Sequence, residues 1–241
     1  MRGPVSLFVV LAILGASGAE ASCVDPGTLT HATVSISRYF SEAERASEPD
    51  VIGVQGAGWF LSPSHIVTVG HVTEGMKLAP WDWTTIDIRD GEETRTVAAR
   101  LARIAGSGTE KLAVIELQHP VPNARVLATR SAPLAPEERV VTIVHAGHHP
   151  RSVSGRFVQT GEAGPLTNVD LLEMYDGRDR LAIDHGASGA PVLDCRGEVA
   201  AVISNVFVRN IQFASRDIRT STSWGSPNVV SVPIQELTGG P

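Results

Sequence analysis

The sequence contains 241 residues, of which 42% are hydrophobic and 19% are charged, and this composition is typical of an ordinary globular protein. The length is sufficient for one large all-β domain or for two smaller ones. The formal net charge of −6 argues against nucleic acid or an anionic membrane as the main partner, because both are negatively charged themselves.

The first 21 residues have the features of a secretory signal peptide. Arg2 supplies a positive start, residues 5–14 form an apolar stretch, and residues 19–21 read Ala-Glu-Ala, a small-residue cleavage site. A transmembrane anchor would need about 20 apolar residues, which is longer than this stretch. We therefore expect a signal peptide over 1–21, a mature domain over 22–241, a secreted or periplasmic location and no membrane span after cleavage.

Cys23 and Cys195 are the two cysteines of the chain. An even pair in an exported protein favours a disulfide, because the compartment is oxidising. The alternatives are two free thiols, or a lipoprotein acylated at Cys23, although Glu20 and Ser22 fit a lipoprotein signal poorly. We expect a bridge from the N-terminal arm to the second half of the domain.

Most of the remaining chain is predicted to form short strands separated by turns rich in glycine and proline. The polar residues 40–50 are interpreted as a surface excursion, Asp90-Gly91 as a hairpin turn, and the proline-rich residues 121–136 as a connection between two halves. Short strands at nearly regular spacing predict a barrel or a sandwich. The predicted strands are 32–36, 85–89, 94–104, 112–117, 140–144, 157–160, 171–175, 192–193, 199–206 and 229–232.

Two further stretches contain candidate catalytic residues. Residues 56–72 are predicted to form a strand, a turn and a second strand that ends at His71. More than a hundred residues later, Ser188 stands between small residues in the sequence Gly186-Ala-Ser-Gly-Ala-Pro191. Backbone N–H groups in such a glycine turn can point at one spot, as an oxyanion requires. A serine hydroxyl is a poor nucleophile near pH 7 unless a base takes its proton, and histidine is the usual base.

These two stretches together resemble the chymotrypsin-fold, or trypsin-like, serine proteases, and especially the bacterial branch of the HtrA and glutamyl-endopeptidase types. The resemblance covers residues 32 to 232 and implies an all-β fold of two six-stranded antiparallel barrels with the site in the cleft between them. It implies His71 as general base, Ser188 as nucleophile, and the N–H groups of Gly186 and Ser188 as the oxyanion hole. It also implies a protein or peptide substrate, while the oligomeric state stays unknown.

The third catalytic residue departs from the family pattern. The family has an aspartate at the start of a strand, and here Lys111 occupies that position with Glu110 beside it. A lysine cannot accept the imidazole N–H, and on a regular strand Glu110 would point to the opposite face. Three interpretations stay open: Glu110 serves as the acid, an acid elsewhere or a His–Ser dyad serves, or the protein is a non-catalytic relative that binds peptides.

The resemblance also indicates the substrate-binding residues. Ala182, six residues before Ser188, falls at the base of the pocket for the side chain before the cut bond, so a preference for Arg or Lys is not supported. Ser204, Asn205 and Val206 match the segment that pairs with the substrate backbone as an added strand. Asn205 and His185 are polar candidates at the pocket rim, and we expect a small or neutral pocket.

The remaining histidines and tryptophans receive a structural interpretation. His145, His148 and His149 have no Cys, Asp or Glu at the usual spacing of a metal site, so we expect a loop near the cleft rim and no metal. Trp81 and Trp83 are predicted to pack within a loop. We expect the chain to need no cofactor.

Overall fold

The computed structural model describes residues 23–46, 49–146, 149–175, 183, 186–206, 211–213, 216–218 and 227–238. The predicted signal peptide lies outside this part of the chain. No helix among the described residues is long and apolar enough to span a membrane.

The first half of the chain forms a closed antiparallel barrel of six strands in the order β1-β2-β3-β6-β5-β4. Pairing of Ile36 with Ile88 joins β1 to β4 and closes the barrel. Its interior is filled by large side chains, among them Trp59 and Ile115, and burying each such side chain contributes roughly 1.5–3 kcal/mol. The strands are β1 (Val34–Tyr39), β2 (Gly53–Ser62), β3 (His65–Val69), β4 (Thr84–Asp90), β5 (Glu93–Ala105) and β6 (Leu112–Leu117).

The second half forms another closed antiparallel barrel of six strands, and the predicted all-β architecture of two barrels is confirmed. Five of its strands are β7 (Arg139–Ala146), β8 (His149–Ala163), β9 (Leu166–Tyr175), β10 (Pro191–Leu193) and β11 (Val199–Val206). A small separate hairpin of β12 (Ile211–Phe213) and β13 (Arg216–Ile218) follows, and β14 (Val229–Pro233) completes the barrel. Pairing of Val192 with Thr142 joins β10 to β7 and closes it.

In the described part of the chain, three short helical segments accompany the barrels. They are the 3-10 helix Pro26–Leu29, α1 (Gly70–Gly75) and α2 (Gln235–Thr238). The first helix follows the N-terminal arm, α1 follows β3, and α2 follows β14.

The segment between β6 and β7 contacts both barrels in turn. Leu127 N donates to Phe60 O of β2 at 3.0 Å, and Val199 N of β11 donates to Ala128 O at 2.8 Å. The proline-rich stretch is therefore a connection between the two halves, as predicted.

The disulfide predicted from the cysteine pair is confirmed. Cys23 is bonded to Cys195, across a sequence separation of 172 residues. Beside the bridge, Val24 N donates to Cys195 O at 3.0 Å. The N-terminal arm is therefore attached to the turn that follows β10 in the second barrel.

Three predictions of local structure were wrong in detail. The predicted strand 157–160 is only part of β8, which runs from His149 to Ala163. His145 lies on β7 and its Nε2 is 2.9 Å from Thr33 O, so the expected histidine loop is largely a strand pair. Residues 147 and 148 lie outside the described part of the chain. Trp81 is 84% exposed, so it does not pack as predicted.

Candidate active site

His71 lies at the point where β3 passes into α1. β3 ends at Val69, and α1 begins at Gly70, whose N–H donates to Lys111 O at 2.7 Å. Thr73 Oγ1 donates to Gly70 O at 2.8 Å and so fixes this first turn from the other side. The His71 ring is 44% exposed, so it is open to a substrate while its backbone is held in place.

The Glu110 carboxylate contacts this ring. Glu110 Oε2 is 3.2 Å from His71 Nδ1, and the Glu110 side chain is 13% exposed. Glu110 lies in a bend, because β6 begins only at Leu112. The alternation of side chains along a strand therefore does not apply to it.

Lys111 points away from the His71 ring. Its Nζ donates to Gly106 O at 2.6 Å, and its backbone N–H donates to Glu110 Oε1 at 3.3 Å. The lysine thus closes the base of the loop formed by residues 106–111, called here the Glu110 loop. The ammonium group of Lys111 therefore has its hydrogen-bond partner within that loop.

The environment of Glu110 favours its ionised form. Burial alone would raise the pKa of Glu110, but the hydrogen bond and the positive charge of His71 outweigh it and hold that pKa below its ordinary value. The Lys111 N–H and the Ser204 hydroxyl act in the same direction. Ser204 Oγ is buried and makes no hydrogen bond of ordinary geometry among the described residues, so we regard the His71 ring as the main partner of Glu110.

Ser188 lies in a tight turn that is pressed against the first barrel. Ala57 N of β2 donates to Ser188 O at 2.7 Å. Gly189 has φ +99°, and a Cβ there would stand 1.9 Å from Ala57 O and 2.3 Å from Thr68 Oγ1. Only glycine fits at this position, and the close approach brings the serine of the second barrel to the barrel that carries His71.

The Ser188 hydroxyl donates to Ser204 O of β11 at 2.9 Å. No hydrogen bond between Ser188 Oγ and the His71 ring is found among the described residues. Catalytic hydrogen bonds are often loose in a free enzyme and tighten when substrate binds. Rotation about one side-chain bond would release the hydroxyl from Ser204.

The turn at Ser188 contains Gly186 and Ser188, whose N–H groups were predicted to form the oxyanion hole. Gly186 has φ +94°, and no atom lies within 4 Å of where its Cβ would stand. Within the described part of the chain, neither Gly186 N nor Ser188 N donates a hydrogen bond to a backbone carbonyl. The role of these two N–H groups as an oxyanion hole stays a prediction.

The other predicted substrate-binding residues are only partly described. Ser204 is buried, and its carbonyl accepts from Ser188. Asn205 and Val206 lie on β11, but their side chains are not described. Ala182 and His185 lie outside the described residues.

Sequence reasoning missed the residues that hold the Glu110 loop from behind. Glu236 of α2 and Asn168, near the start of β9, both hydrogen-bond to Ser107. None of these side chains belongs to a recognisable motif, so no pattern in the sequence indicated them. As for metals, no group of three or more His, Cys, Asp or Glu residues suited to an ion occurs within the described ranges.

Comparison with solved structures finds the same fold. The Rv3671c protease from M. tuberculosis, in its active form, aligns with a TM-score of 0.57 and 16% identity, over 100% of this chain and 92% of that chain. The serine endoprotease from Yersinia pestis aligns with a TM-score of 0.55 and 17% identity, over 87% of this chain and 61% of that one. At this identity the likeness shows the fold alone.

Sequence comparison identifies the family. No curated protein sequence matches the chain significantly. Residues 56–202, which include both His71 and Ser188, match the profile of the trypsin-like peptidase domain. Because the match covers more than half of the chain and agrees with the two-barrel fold, the chain belongs to the trypsin-like peptidase family.

Proposed function

We propose that the protein is a secreted or periplasmic serine endopeptidase in which Ser188 is the nucleophile, His71 the general base and Glu110 the acid that orients the base. The observation that carries the proposal is the 3.2 Å contact between Glu110 Oε2 and His71 Nδ1. A carboxylate at this nitrogen selects the tautomer whose Nε2 is free to accept a proton. It also stabilises the imidazolium that forms during catalysis.

Each residue has a definite task in this mechanism. His71 Nε2 takes the proton of Ser188 Oγ, and Oγ attacks the carbonyl carbon of the peptide bond. The N–H groups of Gly186 and Ser188 stabilise the oxygen that becomes negative. His71 then donates the proton to the leaving amine. In the second half of the reaction His71 takes a proton from water as the water attacks the acyl carbon, and it returns that proton to Ser188 Oγ as the bond between Oγ and the acyl group breaks.

The Ser188 hydroxyl must change its partner for this reaction to start. It donates to Ser204 O in the structure, and we expect a bound substrate to shift it toward His71. Substrate backbone added alongside β11 would lie next to this carbonyl. The proposed substrate is thus an extended protein or peptide segment, with a small or neutral side chain before the cut bond because Ala182 supplies no carboxylate.

The proposed location follows from the sequence and agrees with the disulfide. Residues 1–21 have the parts of a signal peptide, and the bond between Cys23 and Cys195 suits an oxidising compartment. Cleavage after Ala21 would leave Cys23 as the second residue of the mature chain.

Casein hydrolysis by the mature protein tests the proposal. We expect hydrolysis in the parent and in a Ser154→Ala control, which removes an exposed hydroxyl from β8. Hydrolysis should be lost in Ser188→Ala and in His71→Ala. Activity that persists in Ser188→Ala would contradict the proposed nucleophile.

A second candidate is a non-catalytic relative that binds peptides in the same cleft. The observation that favours it is the Ser188 hydroxyl, which is directed to Ser204 O and not to the His71 ring. This candidate predicts that a peptide binds with equal affinity to the parent and to Ser188→Ala and is recovered uncut from both. The orientation of Lys111 no longer supports it, because that side chain is bonded to Gly106 O.

A further inference from the structure

We propose that Glu236 is a positioning residue for the proposed acid: its carboxylate holds the Glu110 loop so that Glu110 faces His71. The inference rests on the proposed function, because it assigns a role to a residue that acts through Glu110. Glu236 belongs to α2 near the end of the described chain, 126 positions after Glu110 in sequence.

Glu236 binds the Glu110 loop through Ser107. The Ser107 N–H donates to Glu236 Oε2 at 2.5 Å, and Ser107 Oγ donates to Glu236 Oε1 at 2.9 Å. Asn168 Nδ2 is 2.8 Å from Ser107 Oγ and 3.2 Å from Glu236 Oε1. The Glu236 carboxylate therefore accepts hydrogen bonds from both the backbone and the side chain of Ser107, and Asn168 fixes the orientation of this carboxylate.

The next two loop residues rest on the second barrel. A Cβ at Gly108 would stand 2.3 Å from Thr167 O, so the loop backbone passes directly against the start of β9. Thr109 Oγ1 lies 3.1 Å from Thr167 Oγ1. The loop that carries the proposed acid of the first barrel is thus held by the second barrel, which carries Ser188.

The support behind Glu236 is itself rigid. Its neighbours Ile234 and Leu237 are 1% and 2% exposed and pack into the main hydrophobic core. Ile234 N also donates to Ala200 O at 3.0 Å, which ties the start of this segment to β11. Because this segment is well packed, the Glu236 carboxylate has little freedom to move, and its position therefore determines the position of the Glu110 loop.

Hydrogen bonds are what determine the position of the Glu110 loop. Ser107 and Thr109 are exposed, so few apolar contacts hold that side of the loop. Lys111 Nζ fixes the base of the loop through Gly106 O. Displacing a catalytic group by about 1 Å can lower the rate by roughly 10²-fold. Removal of the Glu236 carboxylate should therefore act on catalysis although Glu236 does not touch the reacting atoms.

The test compares Glu236→Ala with the control Glu162→Ala in the full mature chain. Glu162 is an exposed glutamate of β8 that lines the same surface groove as Ser107 and Asn168, so the control removes an equal charge from the same region. With active sites counted by fluorophosphonate titration, Glu236→Ala should lower kcat by about 10- to 100-fold and leave KM within about twofold. Glu162→Ala should leave both constants within about twofold.

A double-mutant cycle separates positioning from general damage. If Glu236 acts through Glu110, adding Glu236→Ala to Glu110→Gln should lower kcat by less than about threefold further. A full further loss of about 10-fold or more would overturn the inference. Glu236→Gln, which keeps one acceptor for Ser107, is expected to be intermediate and serves in place of Glu236→Ala should that variant not fold.

The His71 ring gives a second readout that does not depend on turnover. With ¹⁵N-labelled histidine, the Nδ1–H proton of His71 should be observed in the parent and in Glu162→Ala and lost in both Glu110→Gln and Glu236→Ala. An unchanged Nδ1–H signal in Glu236→Ala would overturn the inference even if the enzyme is active. If the parent shows the signal but is never labelled at Ser188, loss of the signal in Glu236→Ala would still support the positioning role, while the missing label would refute the proposed function.

Discussion

Glu110 and Lys111 are neighbours in sequence, yet their side chains are directed to different partners. Glu110 Oε2 lies 3.2 Å from His71 Nδ1, whereas Lys111 Nζ lies 2.6 Å from Gly106 O. Because both residues precede the first residue of β6, neither is bound by strand alternation. A lysine at the sequence position of the family's acid is therefore compatible with a Glu110 carboxylate that contacts the His71 ring.

Replacing the proposed acid should reduce turnover strongly. Glu110→Gln keeps the shape of the side chain but removes the charge that favours the imidazolium, so kcat should fall by about 10²- to 10⁴-fold with little change in KM. Burial would raise the pKa of Glu110, but the His71 contact outweighs it and holds that pKa below its ordinary value, so the carboxylate gains its proton at a lower pH than a free glutamate does. Because Glu110 is ionised at the pH values where the parent is active, the loss of kcat in Glu110→Gln should be of similar size throughout that range.

Glu74→Gln is the matched control for this variant. Glu74 is an exposed glutamate of α1, three residues after His71, so the change removes an equal charge near the base. It should leave kcat within about twofold. An equal loss of kcat in the two variants would mean that net charge, and not the Glu110 contact, matters.

Lys111 should act as a support of the loop and not as a substitute for the missing aspartate. Lys111→Met keeps most of the side-chain volume but removes the hydrogen bond to Gly106 O, so we expect kcat to fall by only about 3- to 10-fold, since one such bond contributes about 1 kcal/mol. In the Glu110→Gln background, Lys111→Asp should not restore activity, because the side chain at this position is directed to Gly106. Restoration to within tenfold of the parent would show that the acid belongs at position 111 after all.

The sequence predicted the architecture well where local signals agree with tertiary structure. Residues 112–117 form β6 as predicted, because all of them except Glu116 are apolar and they lie between polar turns. β8 was predicted at less than a third of its length, since Pro150 and Gly155 disfavour a strand locally. A Cβ at Gly155 would stand 2.1 Å from Glu173 O, so glycine is needed there by the close approach of β9, which sequence alone does not show.

The candidate site was predicted unevenly for the same reason. His71 and Ser188 stand in recognisable motifs, whereas the side chain that faces His71 depends on where β6 begins. Glu110 can be assigned as the acid only when the conformation of its loop is known, because that conformation places its carboxylate against the His71 ring. The contacts of that loop come from Glu236 and Asn168, which are distant in sequence and belong to no motif.

A buried carboxyl in the second barrel should make stability depend on pH. Asp170 is 4% exposed, and burial raises its pKa to about 6, although a hydrogen bond from Thr160 Oγ1 opposes the shift. Between pH 4 and 6 the folded state therefore binds more protons than the unfolded state, so stability falls as pH rises through this window. Asp170→Asn should remove that slope and, by a shift of about two pKa units, stabilise the fold by up to about 3 kcal/mol above pH 7.

Urea unfolding at pH 4.5 and pH 7.5 checks this prediction. Asp87→Asn is the control, because Asp87 also accepts a hydrogen bond from a threonine, Thr96, on the neighbouring strand but is only half-buried. The control should keep the slope of the parent. The assigned role would be contradicted if stability changed between these two pH values by the same amount in Asp170→Asn as in the parent.

The disulfide should contribute substantially to stability. Its bond closes a loop with a sequence separation of 172 residues, for which the chain-entropy model gives up to about 5 kcal/mol. Replacing both Cys23 and Cys195 by serine should lower Tm by about 10 °C, since 1 kcal/mol corresponds to about 2–4 °C in a domain of this size. Calorimetry with and without a reductant measures this, and a reductant that leaves the Tm of the parent unchanged would contradict it.

Fluorophosphonate labelling of the mature protein, followed by peptide mass spectrometry, tests the central claim most directly. The account predicts a single modified residue, Ser188, with a labelling rate that falls sharply in Glu110→Gln and changes little in Glu74→Gln. No labelling of the parent, together with labelling in Lys111→Asp, would show that the triad is broken at Lys111 and that Glu110 is not the acid.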